Sequence, residues 1–366
     1  MGILPFVAEL GLVDHHCHGV LRTDSTREEF ESLLTEAAAP APGTTLFDSA
    51  VGFAVRKWCA PLLDLPRHVS PEAYLERRNS LHITEVSRTF LTATGTLAYL
   101  VDGGFQPDRL LSFRELGDLG DGAEAHEIVR LETLAEEVRA SGAGPRAFAD
   151  AVRAQLDASS AVGAKSVAAY RIGLALEGSR PSDEDVARAV HGWSGERCAS
   201  EVLTRFLVWE AIERRLPVQF HVGYGDSDAS LHRCDPLLLT DFLRATESRG
   251  VPILLLHNYP FHRNAGYLAQ VFTHVYCDLG LATHALGHQA SRVFAEALEI
   301  VPFGKFLYSS DAFGLPELYY LGALLFRRAL SDFLASGMKQ NAFTESDAVR
   351  IAHLVASDNA RRVYGL

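Results

Sequence analysis

The sequence predicts an α/β fold, a (β/α)8 TIM barrel. Three observations carry that expectation. Short aliphatic or β-branched runs alternate with helix-period segments, eight such runs occur, and polar residues recur at their C-terminal ends. Alternation of this kind builds a parallel sheet covered by helices. Eight units favour a closed barrel over an open sheet.

The first run, 10–13, leads into Val-Asp-His-His-Cys-His at 13–18. Alternate side chains of a strand share a face, so His16 and His18 can reach one point. Asp14, beside the pair, is expected to orient a ligand or a backbone amide. Cys17 is expected to be a packed residue. The segment 24–84 is too long for one crossover, is mostly helical in pattern and contains Pro40, Pro42, Gly43 and Pro61. It reads as a helical insertion after strand one, overhanging the C-terminal mouth where barrel active sites form.

The second run, 96–101, ends at Asp102. The third, 127–131, carries Arg130 and Glu132 near its tip, an expected ion pair. The fourth, 164–172, contains Lys165, Tyr170 and Arg171, which places Lys165 well before the expected strand end and Arg171 at the mouth. The fifth and sixth, 217–220 and 252–256, end at His221 and His257. The seventh, 274–277, runs into Asp278, and the eighth, 306–310, into Asp311. Helical patterns fill 200–215, 236–248, 290–300 and 317–335, and Ser182 before Glu184 and Asp185 marks a helix start. The spacing from 257 to 278 leaves room only for a short helix. No repeat, low-complexity tract or linker divides the chain, so 1–366 reads as one domain.

Bulk properties narrow the function. The chain has 366 residues, 48% hydrophobic, enough for a large core, and a formal net charge of -12. That balance argues against nucleic acid or an anionic membrane as partner, since both call for a basic face. A small-molecule substrate is expected, and a homo-oligomer is compatible with such a barrel. The five cysteines are scattered without a Cys-x-x-Cys, which excludes a disulfide framework or zinc ribbon and fits a reducing cytoplasm. The N-terminus lacks signal-peptide features, and no run is long and apolar enough to span a bilayer.

His16, His18, His221, His257 and Asp311 all stand at expected strand ends, which a barrel gathers at one mouth. Imidazoles plus a carboxylate, with room for water, suit a catalytic zinc-type site. A lone His-x-His would read equally well as a polar strand end; its recurrence with the other ends makes it a metal-site signal. Tyr224, Asp226 and Asp228 follow His221 in a Gly-rich loop suited to substrate contact. Gly223 and Gly225 are not a phosphate loop, because no Lys-Ser/Thr follows. Arg171 could grip a substrate carboxylate through a forked pair, or pair with a neighbouring acid. His262 could line the mouth. His284 and His288, four apart, would share a helix face and read as exposed or capping residues.

These motifs resemble the metal-dependent amidohydrolase superfamily: Val-Asp-His-His-Cys-His at 13–18, Pro-Val-Gln-Phe-His at 217–221, Leu-Leu-Leu-His-Asn at 254–258 and Tyr-Ser-Ser-Asp at 308–311. The C-terminal Asp-Asn-Ala-Arg-Arg-Val-Tyr-Gly-Leu, 358–366, looks like the closing helix of its "amidohydrolase 2" branch. Lys-Ser-Val-Ala-Ala-Tyr-Arg-Ile-Gly-Leu, 165–174, is similar to the amidohydrolase-like domain of FluG and nodulin-type glutamine synthetase fusions. The resemblance implies that His16, His18, His221 and Asp311 hold one or two divalent ions, zinc first among them. It implies that Asp311 moves the proton of an activated water, and that His257 binds a second ion or polarises the substrate carbonyl. Lys165 would bridge two ions if carbamylated, and otherwise make a salt bridge or contact substrate. The implied function is hydrolysis of an amide or related C–N bond in a small, carboxylate-bearing substrate. A decarboxylase of the same branch is the first alternative, and a non-catalytic metal-binding barrel the second.

Overall fold

The computed structural model describes residues 2–366. Seven parallel strands form one sheet in chain order: β1 (Leu12–Cys17), β2 (Thr96–Asp102), β3 (Glu124–Arg130), β4 (Gly163–Ser166), β5 (Val218–Val222), β6 (Ile253–His257) and β7 (Val275–Cys277). Helices connect successive strands, as parallel neighbours require. Among the described residues no helix is long and apolar enough to cross a membrane.

The eighth expected strand is not a regular one. Residues 306–312 nevertheless bond to both neighbours of the gap. The Leu307 amide donates to the Cys277 carbonyl (3.0 Å), and His15 N–H donates to Tyr308 (3.2 Å). Asp311 N–H donates to the His16 carbonyl (3.0 Å), and His18 N–H donates to Ala312 (2.9 Å). The sheet therefore curls until its two edges share one segment, a TIM-barrel-like architecture.

Its interior is apolar at the N-terminal end of the strands. Val13, Leu100, Ile128, Leu254, Leu256 and Leu307 pack with Val363 and Tyr364 from the C-terminal helix Asn359–Tyr364. β1 is buried along its whole length, and its pairing with β2 is irregular between Asp14 and Cys17. Strict alternation fails there, so Asp14, His15 and His16 all find interior partners. Cys17 is packed, as expected, against the Leu100 carbonyl.

β4 corrects the sequence reading. Its run was expected to reach residue 172, but the strand stops at Ser166 and a helical turn, Ala168–Arg171, follows. The buried Glu132 carboxylate accepts from Ser166 Oγ (2.7 Å) and Val167 N–H (3.0 Å), which draws the chain off the ladder. Lys165 is thus next to the strand end, not deep below it. Elsewhere local signals hold: Ser182 caps the helix Asp183–His191 in a reciprocal box with Asp185.

Between β1 and β2 lie short helices, Arg27–Ser32, Ala50–Ala54 and Pro71–Asn79. Phe30, Phe47 and Tyr74 from this stretch form a second apolar cluster with Leu318 and Tyr319 of the long helix Pro316–Lys339. A buried ion pair crosses the same contact: Arg78 Nε donates to Glu317 Oε1 (2.6 Å), which also accepts from the Tyr74 hydroxyl (3.0 Å).

Candidate metal centre

His16 and His18 leave the end of β1 and meet Asp311 from the segment that joins β7 to β1. His16 Nε2 stands 3.0 Å from Asp311 Oδ1, and His18 Nε2 3.5 Å from the same oxygen. One ligand atom from each of the three lies within 4.8 Å of the others. His257, ending β6, places Nδ1 3.3 Å from Asp311 Oδ2. Lys165 Nζ is 3.3 Å from His16 Nε2.

Surrounding groups fix this geometry. His18 Nδ1 bonds the Asp102 main-chain carbonyl (2.9 Å), which turns Nε2 towards Asp311. Asp311 and His257 both have left-handed backbone, φ 50° and 69°. Such conformations cost about 1–3 kcal/mol each and persist where neighbours over-determine them. Two buried carboxylates do so here. Asp278 accepts from His257 N–H (2.6 Å) and the Ser309 hydroxyl (2.5 Å) and bonds His15 Nε2 (2.9 Å). Asp14 accepts from Ser310 N–H (2.8 Å) and Oγ (2.5 Å), the supporting position expected of it.

The donor set fits a divalent metal. Burial, with Lys165 adding to it, pulls His16 down to about 4 and His221 to about 3. Burial also takes His257 well below the usual histidine range. Neutral rings offer lone pairs at neutral pH. Burial works against ionisation of Asp311, but His257 and His16 hold its carboxylate well below the usual range. His16 Nδ1 and His257 Nδ1 are buried without hydrogen-bond partners. Imidazole and carboxylate ligands of this kind suit zinc, iron or manganese.

The amidohydrolase model Amidohydro_2 matches residues 64–366. The chain belongs to the amidohydrolase family. The matched residues do not include His16 and His18. Protein fluG of Emericella nidulans is 26% identical over 97% of this chain, and the chain spans 46% of that relative's length. A solved structure described as a "putative metal-dependent hydrolase" from Lactobacillus casei superposes with a TM-score of 0.83 at 29% identity, covering 100% of this chain and 98% of that one. A uronate isomerase from Bacillus halodurans shares the fold, with a TM-score of 0.64 at 14% identity over 98% and 94% of the two chains.

Not every expected ligand joins this amidohydrolase's cluster. His221, on β5, lies beside it, its ring centroid 4.6 Å from that of His257. Its Nε2, however, bonds the Tyr224 main-chain carbonyl (3.1 Å). Gly223, at φ 86°, turns the chain so that this carbonyl faces the ring. His221 is therefore outside the group of three mutually close ligand atoms.

A cavity of about 860 Å³ opens over the cluster. Lys165, Arg171 and Tyr224 line it. Arg171 Nη2 is 3.7 Å from Glu136, while its Nε and the Tyr224 hydroxyl are buried without partners. Asp228 pairs with Arg197 at the rim (2.6 Å).

Three side-chain expectations need correction. Arg130 does not pair with Glu132. Its guanidinium forks onto Asp102 (2.7 and 3.0 Å), while Glu132 is engaged by Ser166 and Val167. His262 does not line the mouth, since its Nε2 bonds Glu296 (3.0 Å). His284 and His288 do not share one helix, because the helix Ala282–Ala285 ends between them and a 3-10 turn, Gly287–Gln289, follows. His284 is buried and lines the cavity, contrary to its reading as an exposed or capping residue. Its place just past β7 was the available signal. Glu36, Phe105 and Arg197 also line the cavity, and nothing local to them in the sequence marked them.

Proposed function

We propose that this amidohydrolase hydrolyses an amide or related C–N bond of a small, carboxylate-bearing molecule. The observation that carries the reading is the buried His16–His18–Asp311 group, with His257 against it, on the floor of a cavity that Arg171 lines. A full eight-unit barrel, with 24–84 as an insertion over its mouth, is part of the same reading.

His16, His18 and Asp311 would hold the ion, zinc first among candidates, with His221 and His257 as further donors. A divalent cation there supplies Lewis acidity, polarising a carbonyl oxygen and lowering the pKa of water from about 15.7 towards 7. Asp311, ionised across the working range, takes a proton from the attacking water on a carboxylate oxygen. It then returns that proton to the departing nitrogen. His257, a neutral ring in the cluster, polarises the substrate carbonyl. Lys165 is close enough to contact the substrate or, as a carbamate, to serve a second ion. Arg171, whose Nε has no partner, and the unpartnered Tyr224 hydroxyl bind the substrate carboxylate. These contacts align the scissile bond with the water before reaction.

The test is metal analysis of protein purified without chelator, joined to product assays on amide panels. About one or two equivalents of metal and release of amine or ammonia are expected. Carbon dioxide from an acid substrate, with no water consumed, would replace the hydrolase reading with the decarboxylase one. Turnover unaffected by Asp311→Asn would leave a metal-binding barrel without catalysis.

A further inference from the structure

Glu36 sits in the segment between β1 and β2 and lines the cavity over the metal cluster. Among the described residues it has no hydrogen-bond or ion-pair partner. Burial, then the nearby carboxylates of Asp311 and Asp226, push its pKa up to about 7. A half-buried carboxylate among other carboxylates is costly unless a cation or donor reaches it.

None of the cavity's own cations pairs with Glu36, and Lys165 among them lies 3.3 Å from His16 Nε2. Arg130 forks onto Asp102, Arg197 pairs with Asp228, Arg109 pairs with Glu29, and Arg171 stands beside Glu136. A cationic group on a ligand in the cavity would answer the Glu36 carboxylate.

A second, independent observation points to the same ligand. His284 is 5% exposed, lines this cavity, and its Nε2 is buried without a partner. Its ring faces the main chain of Asp311. A neutral imidazole with its proton on Nδ1, towards that main chain, presents Nε2 as an acceptor. Glu36 and His284 are thus two unanswered acceptors in one cavity. The loops that carry them follow β1 and β7, the two edges that the 306–312 segment joins. Arg171 follows β4, in the middle of the sheet order.

We propose that Glu36 and His284 form a recognition site for a protonated amine on the substrate, in the same cavity where Arg171 takes a carboxylate. The substrate is then a zwitterion with separated charges. The inference rests on reading this cavity as the substrate site, but not on the reaction performed there.

Equilibrium binding tests it without turnover. The zinc-loaded protein is titrated calorimetrically with straight-chain ω-amino acids of three to six carbons, and with the alkanoates and dicarboxylates of matching length. At one chain length or more, the amino acid should bind at least tenfold tighter than the alkanoate, and the dicarboxylate no tighter than the alkanoate. Glu36→Gln should bring the amino-acid-to-alkanoate ratio towards one while leaving alkanoate affinity unchanged. His284→Phe should reduce the same ratio, with folding checked by circular dichroism. Equal affinities at every length, a ratio insensitive to Glu36→Gln, or no binding of any probe would overturn the proposal. Amine preference without amine release in the product assay would fault the hydrolase reading alone. Amide hydrolysis with no amine preference would fault the recognition site alone.

Discussion

At the scale of single residues, the site depends on charges held where solvent would not leave them. Asp311 is the shared element, since His16, His18 and His257 all approach its carboxylate. Asp311→Asn keeps the shape and removes the charge. Metal occupancy measured by mass spectrometry should fall, and turnover should drop by about 100-fold or more, as befits loss of a general acid–base group. Away from the centre, His274 reports on pH. It is buried, with Nε2 3.3 Å from Thr246 Oγ1, and burial takes it down to about 4. The unfolded chain takes up this proton near pH 6.5, and the folded chain refuses it until about 4. Between those values the unfolded state binds more protons, so stability is full above 6.5 and falls as pH drops through the window. Urea denaturation of His274→Gln should show a shallower decline than the parent between pH 6.5 and 4. A slope identical to the parent's would mean that His274 is free to protonate in the fold. The residues His16, His18, His257 and Asp311 were legible in the sequence because each ends a run that sheet geometry directs to one mouth. The orientation of His221 was not, because it depends on which way one glycine turns the Tyr224 carbonyl. Glu36 was invisible for another reason: its environment is made by side chains far along the chain, Asp226 and Asp311.

At the scale of elements, long-range side-chain bonds decide what local pattern leaves open. The runs at 96–101, 217–220 and 252–256 are short and mainly apolar, and the strands stand close to those limits. The run at 164–172 looked equally strand-like, with Val167, Tyr170 and Ile172, yet Glu132 ends it early. That carboxylate comes from the helix Leu131–Ala140, so no window around residue 167 contains the cause. The contact between the helices Pro71–Asn79 and Pro316–Lys339 offers a quantitative test. Arg78 and Glu317 are 1% and 0% exposed, so removing one leaves a buried charge unanswered. Arg78→Met alone should cost about 3–5 kcal/mol in urea denaturation. The double change Arg78→Met with Glu317→Leu should recover most of that loss, since apolar replacement of a whole buried pair is often neutral. A double variant as unstable as the single one would show that packing, not charge, dominates the contact. The long helix begins five residues after Asp311.

At the scale of the whole molecule, the sheet's two edges meet through residues 306–312, and the metal cluster sits on that seam. Any ion bound there links β1 to the segment that closes the sheet. A ligand that binds only the folded state stabilises it by about 4 kcal/mol when present at 1,000 times its Kd. Chelator treatment should therefore lower the Tm by several degrees, and added zinc should restore it. A Tm indifferent to both, measured by calorimetry, would separate the cluster from the stability of the barrel. The seam has a consequence for biosynthesis. His16 and His18 emerge from the ribosome well before Asp311, whose amide closes onto the His16 carbonyl. At about 5–20 residues per second the interval is roughly 15–60 s. Throughout it the His pair is an open, incomplete chelator in a crowded cell, able to pick up whichever soft cation is most available. An ion taken up in that interval would be held by imidazoles alone, before the Asp311 carboxylate exists to share it.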